Sequence, residues 1–273
     1  MKNMIGIKNG DDMIQEYLEF AKEIALYAGK IMMEYYQKDI DLNYKEDKTV
    51  VTEIDKKINH YLIEKVKEKY PEHSVLGEEE SFKQDSDYFW VCDPLDGTGM
   101  YVNHIPVFAF SLALVYQGEP IVGIVYNPNE NKMYTAIKHE GAYCNDAKIH
   151  VNDKKLGDLG YKTNVEIFNN PILDEVSLIQ ELKPISKISS IGSVARSAMA
   201  IAEGYFSCDV FSGTEHGNCD IAASYLIVTE AGGKVTDFHG NEQKYDRNIK
   251  GAIISNGVSH ENMLEIVKKY ILK

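Results

Sequence analysis

The chain has 273 residues, of which 44% are hydrophobic and 26% are charged, and its formal net charge is −13 at pH 7. A chain of this length can bury a large core in one domain or two, without disulfide bonds or structural metals. Its acidic surface repels nucleic acid and anionic lipid, so we expect neither as a partner.

Apolar runs and cysteine spacing bear on the compartment. No apolar run approaches the length of a membrane span, and residues 1–13 lack the apolar stretch of a signal peptide. We therefore expect a cytoplasmic protein by default. The four cysteines, Cys92, Cys144, Cys208 and Cys219, form no C-x-x-C pair, which disfavours a zinc ribbon or a disulfide framework and indicates buried, inert thiols.

The first half of the chain, residues 1–150, is predicted to form an N-terminal α+β unit. Apolar residues recur at helical spacing over residues 13–36 and 53–70. The runs HSVLG and DYFWVCD then predict two strands, each leading into acidic residues. Over residues 108–145, β-rich runs separated by glycine, proline and asparagine predict a meander of antiparallel strands.

The second half, residues 151–273, is predicted to form a C-terminal α/β unit. Strand-like runs here alternate with helical ones. Helices are expected over residues 172–182 and 193–203, from Asp220 onward, and after a capping Ser259. Such alternation predicts a sheet that is covered by helices on both faces.

Acidic residues stand where these predicted strands and turns end. Glu78 follows one strand, Asp93 ends the next, Asp96 follows a turn at Pro94, and Asp220 opens a helix. In α/β folds, residues at such positions meet in one crevice. Oxygen ligands without histidine or cysteine suit a hard cation such as Mg²⁺.

The segment DPLDGT, residues 93–98, can be interpreted in two ways. Asp-Pro and Asp-Gly are common in type I turns, so the segment alone would more often be a turn than a site. Because two predicted strands end in acidic residues, we favour the interpretation as a metal-binding site. The carbonyl of Leu95 could then be a further oxygen ligand, Gly97 would permit close backbone approach, and the Thr98 hydroxyl could orient a water molecule.

Four sequence blocks, in order, resemble the inositol monophosphatase family of magnesium-dependent, lithium-sensitive phosphatases. They are KEDKTVVTEID (45–55), LGEEE (76–80), WVCDPLDGT (90–98) and CDIAASYLIVTEAGGKVTDFHG (219–240). The resemblance covers nearly the whole chain. It implies a layered α-β-α-β-α sandwich of the sugar phosphatase type, with the metal site in the crevice between its halves.

The resemblance also implies a set of metal ligands. Glu78, Asp93 and the carbonyl of Leu95 would hold one Mg²⁺, and Asp93, Asp96 and Asp220 would hold a second. Roughly two or three ions per site are expected, because paired cations clamp the attacking and the leaving oxygen of a phosphoryl transfer.

Catalytic and substrate-binding roles follow from the same resemblance. Glu78 and Thr98 would activate the attacking water, and Asp55 would hydrogen-bond Thr98 to keep it oriented. Two residues separate Asp93 from Asp96, one more than in haloacid dehalogenase-type phosphatases, so we expect direct attack by water and no phospho-enzyme. The implied substrate-binding residues are Asp96, Gly97, Thr98, Gly192, Ser193 and Asp220.

Three positions depart from the family pattern or leave a role open. Cys219 stands where most members have Trp, and Gly213 stands where the family's inositol phosphatases have a substrate-binding Glu. The loop around them therefore leaves the substrate open. Arg196 could bind phosphate in a bidentate manner, but its helical phase opposite Val194 and Ala198 favours exposure to solvent.

The sequence thus predicts a Mg²⁺-dependent phosphomonoesterase that acts on a small phosphorylated polyol, with inositol monophosphate as the first choice. A 3'(2'),5'-bisphosphate nucleotide, fructose 1,6-bisphosphate and histidinol phosphate are alternatives, because the motifs occur in several branches of the family. A non-catalytic binder of phosphorylated ligands is the alternative from another class, although it would be expected to lose Glu78, Asp93 or Thr98. The resemblance also suggests a homodimer.

Overall fold

The computed structural model describes residues 10–36, 38, 43–44, 50–51, 53–167, 172–214 and 216–272. The helices in this part of the chain are α1 (Gly10–Tyr35), α2 (Glu53–Lys69), α3 (Thr98–Val102), α4 (Glu175–Leu182), α5 (Val194–Ala202), α6 (Gly217–Glu230) and α7 (His260–Lys268). None of these helices has both the length and the apolar character needed to cross a membrane.

The strands form a small hairpin and two larger sheets. The hairpin consists of β1 (Asn43–Tyr44) and β2 (Val50–Val51). The eight-stranded sheet contains β3 (Ser74–Gly77), β4 (Ser81–Phe82), β5 (Tyr88–Asp96), β6 (Ala109–Tyr116), β7 (Glu119–Asn127), β8 (Lys132–Ile137), β9 (Gly141–Cys144) and β10 (Ala147–Lys148). The five-stranded sheet contains β11 (Lys162–Val165), β12 (Lys187–Ser189), β13 (Cys208–Phe211), β14 (Lys234–Thr236) and β15 (Ala252–Ser255).

The eight-stranded sheet, ordered β10-β9-β8-β7-β6-β5-β3-β4, contains the predicted antiparallel meander and one parallel pair, β3 with β5. Strand β6 is buried on both faces because helices cover both. Phe110 and Leu112 lie in the core shared with α1 and α2, whereas Ala109 and Ala113 lie in the core shared with α5 and α6.

The five-stranded sheet, ordered β12-β11-β13-β15-β14, supplies the next layer. Helices α5 and α6 lie between the two large sheets, and α4 and α7 cover the opposite face of the smaller one. On β15, Ile254 joins the core with α6, and its neighbour Ile253 joins the core with α7. The layers therefore follow the order α-β-α-β-α, which confirms the predicted sandwich.

Two local features differ from the sequence-based predictions. Strand β5 continues through Asp96 instead of ending at Asp93, and its pairing with β6 shifts between these residues. Pro94 thus lies in a β-bulge, where its missing N–H removes no ladder bond. Ser259 does occupy the N-cap of α7, but its hydroxyl donates to Oδ1 of Asn256 (2.8 Å) instead of capping the helix.

The four cysteines are free thiols, and Cys92, Cys208 and Cys219 are buried as predicted, but the predicted burial is wrong for Cys144, which is partly exposed. Burial raises the pKa of the Cys92, Cys208 and Cys219 thiols well above its usual value. These thiols therefore remain protonated and unreactive at neutral pH.

Candidate active site

The parallel pairing of β3 with β5 brings the first two acidic residues together. Gly77 is in register with Cys92, and the N–H of Glu78 donates to the carbonyl of Cys92 (3.1 Å). The side chain of Glu78 lies within hydrogen-bonding reach of the buried Asp93 carboxyl group. Two carboxyl groups thus meet at the carboxyl ends of adjacent parallel strands, which is the usual site position in α/β sheets.

The bulge in β5 adds Asp96 to this pair. Asp93 pairs with Ser111 and Asp96 with Ala109, so the two residues between them oppose a single residue of β6. Oδ1 of Asp93 accepts the N–H of Leu95 (3.0 Å), which fixes the bend. The extra residue re-aims the strand so that both carboxylates lie on the same side of it, with ligand oxygens within 4.8 Å of each other.

Asp220 approaches the two aspartates from the first turn of α6. Its carboxylate lies within hydrogen-bonding reach of Asp93 and accepts the hydroxyl of Thr214 (2.7 Å). Ligand oxygens of Asp93, Asp96 and Asp220 all lie within 4.8 Å of one another, and all three residues are buried. Within the described residues, no lysine, arginine or histidine forms a salt bridge with any of the three.

Burial and mutual repulsion disfavour the ionised form of these acids. Desolvation and then the charge of Glu78 raise the pKa of both Asp93 and Asp220 well above the usual range. Desolvation likewise raises the pKa of Asp96 to about 6, although hydrogen bonds from Ser193 and two backbone N–H groups oppose that shift. A cation would relieve this repulsion, and an all-oxygen set of closely spaced carboxylates fits Mg²⁺.

Asp96 joins the two large sheets through the N-terminus of α5. It accepts hydrogen bonds from the hydroxyl of Ser193 and from the N–H groups of Val194 (3.1 Å) and Ala195 (3.0 Å). The Ser193 hydroxyl also caps α5 by accepting the N–H of Arg196 (3.2 Å). The predicted substrate residue Ser193 therefore lies at the site, with its hydroxyl already engaged by Asp96.

Gly97 and Thr98 form the turn that leads from β5 into α3. Gly97 has a left-handed backbone (φ 84°), and a Cβ there would lie 2.6 Å from the carbonyl oxygen of Val107. Only glycine fits this position without displacing the backbone. The Thr98 hydroxyl donates to the carbonyl of Leu95 (2.9 Å), one of the predicted metal-ligand atoms.

Asp55 lies near this turn, on α2. It is buried in the first turn of α2. Its charge, after the larger effect of burial, raises the pKa of Tyr101 on α3. The Thr98 hydroxyl donates to the carbonyl of Leu95 here, and the orienting role of Asp55 toward Thr98 stays a prediction.

The two positions that depart from the family pattern line the same region. Cys219 is buried beside Asp220, and its thiol donates to the carbonyl of Leu76 (3.6 Å). Gly213 has φ 94°, and a Cβ there would lie 2.7 Å from the backbone nitrogen of Gly251. The backbone is therefore shaped for glycine at the position where the family's inositol phosphatases have Glu.

The predicted exposure of Arg196 is wrong. Its side chain is only 16% exposed, and its guanidinium forms an ion pair with Glu130 (2.8 Å) in the turn between β7 and β8. Helical phase could not reveal this partner, because Glu130 lies far away in sequence. The arginine therefore ties α5 to the eight-stranded sheet.

Two residues outside the predicted motifs also lie near this cluster. Thr214, between β13 and α6, donates to Asp220. Glu166, which follows β11, accepts the N–H groups of Ile191 (2.9 Å) and Gly192 (2.8 Å). Because the N–H of Gly192 is engaged in this way, it is not free for substrate. An acid at a strand end, the signal that identified Glu78, could also have drawn attention to Glu166.

Comparisons with known proteins agree with this geometry. The model of the inositol monophosphatase family matches residues 13–272. A fructose-1,6-bisphosphatase/inositol-1-monophosphatase of Aquifex aeolicus is 33% identical over 266 residues, which cover 94% of this chain and 97% of the relative.

Two solved structures extend the comparison to three dimensions. A Thermotoga maritima IMPase superposes with a TM-score of 0.84 at 28% identity, covering 93% of this chain and 97% of the other. An IMPase/NADP phosphatase, solved with Mg²⁺ and phosphate, superposes with a TM-score of 0.81 at 26% identity. The match covers 93% of this chain and 95% of the other. The chain therefore belongs to the inositol monophosphatase family, and this membership identifies it as a phosphoric monoester hydrolase.

Proposed function

We propose that this chain is a Mg²⁺-dependent phosphomonoesterase that hydrolyses a small phosphorylated polyol by direct attack of water. The cluster of Asp93, Asp96 and Asp220 supports this proposal most strongly. Three buried carboxylates within 4.8 Å of one another are costly without a cation, and divalent cations there offset the negative charge that would otherwise repel an anionic substrate.

The proposed metal ligands are divided between two overlapping sets. Glu78, Asp93 and the Leu95 carbonyl would hold one ion, and Asp93, Asp96 and Asp220 would hold another. Bound Mg²⁺ supplies Lewis-acid polarisation of the phosphoryl oxygens and lowers the pKa of water. The chain itself contributes a rigid arrangement of oxygens, fixed by the bulge in β5 and by the N-terminus of α5.

The residues around the cluster would position water and phosphate. Glu78, the most accessible of the four acids, would accept the proton of the attacking water, and the Thr98 hydroxyl would orient that water. Asp55 would support Thr98 from α2. The Gly97–Thr98 backbone would bind phosphate. As the water oxygen bonds to phosphorus, the bond from phosphorus to the ester oxygen would break, and the departing oxygen would take up a proton from solvent and leave as the alcohol.

Inositol monophosphate is the first choice of substrate, on the strength of family membership and the relatives' names. The Aquifex relative is also named a fructose-1,6-bisphosphatase, and one structural neighbour an NADP phosphatase, so sugar bisphosphates and nucleotide phosphates follow as alternatives. Gly213 argues against a simple transfer of inositol specificity, because it offers no carboxylate to the substrate's hydroxyl groups.

A substrate panel run with and without Mg²⁺ tests the proposal. Inositol monophosphate, fructose 1,6-bisphosphate, a 3'(2'),5'-bisphosphate nucleotide, NADP and histidinol phosphate should be compared for phosphate release, each with and without added lithium. We expect release from at least one of them, dependent on Mg²⁺ and reduced by lithium. A chain that binds these compounds without releasing phosphate would instead be the non-catalytic binder.

The remaining proposals concern organisation. We propose that residues 1–150 and 151–273 form two halves that share the site, and that the protein is a cytoplasmic homodimer. Sedimentation equilibrium tests the dimer directly. A mass near 30.9 kDa, that of one chain, would contradict it.

A further inference from the structure

Glu166 is a buried carboxylate that the proposed chemistry does not use. Only 4% of it is exposed, and it follows the last residue of β11. Its Oε1 accepts the side-chain amide of Asn164 (2.9 Å) and the N–H groups of Ile191 (2.9 Å) and Gly192 (2.8 Å). Its Oε2 accepts the hydroxyl of Ser190 (2.9 Å).

Three of these four donors belong to the segment 190–192, which leads directly into α5. The next residues, Ser193, Val194 and Ala195, donate their own hydrogen bonds to Asp96. Two carboxylates therefore bind consecutive parts of one short segment, Glu166 from the five-stranded sheet and Asp96 from the eight-stranded sheet. A displacement of residues 190–192 would move the donors that hold Asp96.

The position of Glu166 is itself fixed from the core. Asn164 on β11 donates both to Glu166 and to Oδ1 of Asp209 (3.0 Å), which is fully buried on β13. The side-chain oxygen of Asn164, Oδ1, also accepts the N–H of Ile191 (3.1 Å). The carboxylate of Glu166 is thus a rigid link between the sheet and the turn.

We propose that Glu166 is a positioning residue. It holds the turn at residues 190–193, so that Asp96 and the residues that donate hydrogen bonds to it keep their geometry. This inference rests on the proposed phosphatase function. Residues that orient ligand groups commonly change activity about 10- to 100-fold when they are lost, and a displacement of about 1 Å has effects of that size.

The test compares E166A and E166Q with E230A. Glu230 is a matched control, because its carboxylate also accepts two backbone N–H groups of one turn, those of His139 (2.7 Å) and Gly141 (2.8 Å). Well below the melting temperature, we expect E166A to lower kcat/KM about 10- to 100-fold, mainly through a raised KM. E166Q keeps an acceptor oxygen and should restore most of the loss, and E230A should leave KM unchanged.

Hydrogen exchange measured by mass spectrometry supplies a readout that does not need activity. E166A should speed exchange in peptides that contain residues 190–195 and in peptides that contain residues 93–99, whereas E230A should change neither. Unchanged KM and unchanged exchange around Asp96 in E166A would overturn the inference. If the wild-type chain releases phosphate from no substrate, the proposed function fails, while the exchange experiment still decides the role of Glu166.

Discussion

At the scale of single residues, the three clustered aspartates lower the stability of the fold when they ionise. Asp93, Asp96 and Asp220 are buried next to one another, and the pKa of each is raised because ionisation is costly there. Such like-charge clusters are typical of sites that a ligand completes. The cost should therefore appear as lower stability of the metal-free protein at neutral pH.

Replacing Asp93 by Asn tests whether its ionisation lowers the stability of the metal-free protein. The raised pKa of Asp93 means that its contribution to folding stability is present at low pH and is lost as the pH rises and the carboxyl ionises. D93N removes that charge, so at pH 8 we expect a higher melting temperature without metal, no further rise on adding Mg²⁺, and no turnover. Thermal unfolding with and without Mg²⁺, together with a phosphate-release assay, measures all three.

The control for this variant is D87N, which removes the same charge from an exposed aspartate. It should match the wild-type chain in turnover and in the response to Mg²⁺. Near-normal turnover by D93N would refute the metal role of Asp93.

At the scale of elements, the sequence predicted regular segments well and irregular ones poorly. Helix α2 was expected over residues 53–70 and covers Glu53–Lys69, because its apolar spacing is strong and Pro71 follows. The continuation of β5 past Pro94 was missed, since it depends on the pairing of β6 with the bulge. The roles of Arg196 and Glu166 were missed because their partners are distant in the chain.

Asp209 links three elements and should make stability depend on pH. It lies on β13 and accepts hydrogen bonds from Asn164 on β11 and Ser197 on α5. Burial, followed by the charge of Glu166, raises its pKa from 3.8 to about 7. The folded state thus retains a proton that the unfolded chain releases, so stability from this group is lost as the pH rises from about 4 to 7.

D209N keeps a similar shape without the ionisation. We expect its stability relative to the wild-type chain to increase between pH 5 and pH 8, by roughly 2–4 kcal/mol, and to stay constant above pH 8. Urea unfolding at several pH values measures the difference. A difference that does not vary with pH would contradict the prediction.

D237N is a control for which the expected dependence of stability on pH has the opposite sign. Hydrogen bonds from Asn241 and His239 lower the pKa of Asp237, outweighing its desolvation, so its ionised form stabilises the fold. That contribution is present above the usual pKa and is lost as the pH falls through the lowered one. D237N should therefore be less stable than the wild-type chain at neutral pH and approach it in acid.

At the scale of the whole molecule, the core crosses the boundary between the two proposed halves. One cluster combines Val91 and Ala113 of the eight-stranded sheet with Ala198 of α5, Leu226 of α6 and Ile254 of β15. Because α5 and α6 supply apolar faces to both sheets, neither sheet can bury its inner face without them. We therefore expect the described layers to unfold as one cooperative unit.

Val267→Ala tests this cooperativity from the far side of the molecule. Val267 is fully buried on α7 in the core of the outer layer, whereas Trp90, the single tryptophan, lies in the core with α1 and α2. The truncation should cost about 2 kcal/mol and lower the melting temperature by roughly 4–8 °C. Trp90 fluorescence and far-UV circular dichroism should report the same lowered midpoint, while E265A, an exposed change on the same helix, should leave both unchanged. A lower midpoint by circular dichroism with an unshifted Trp90 transition would mean that the two sides of the sandwich unfold independently.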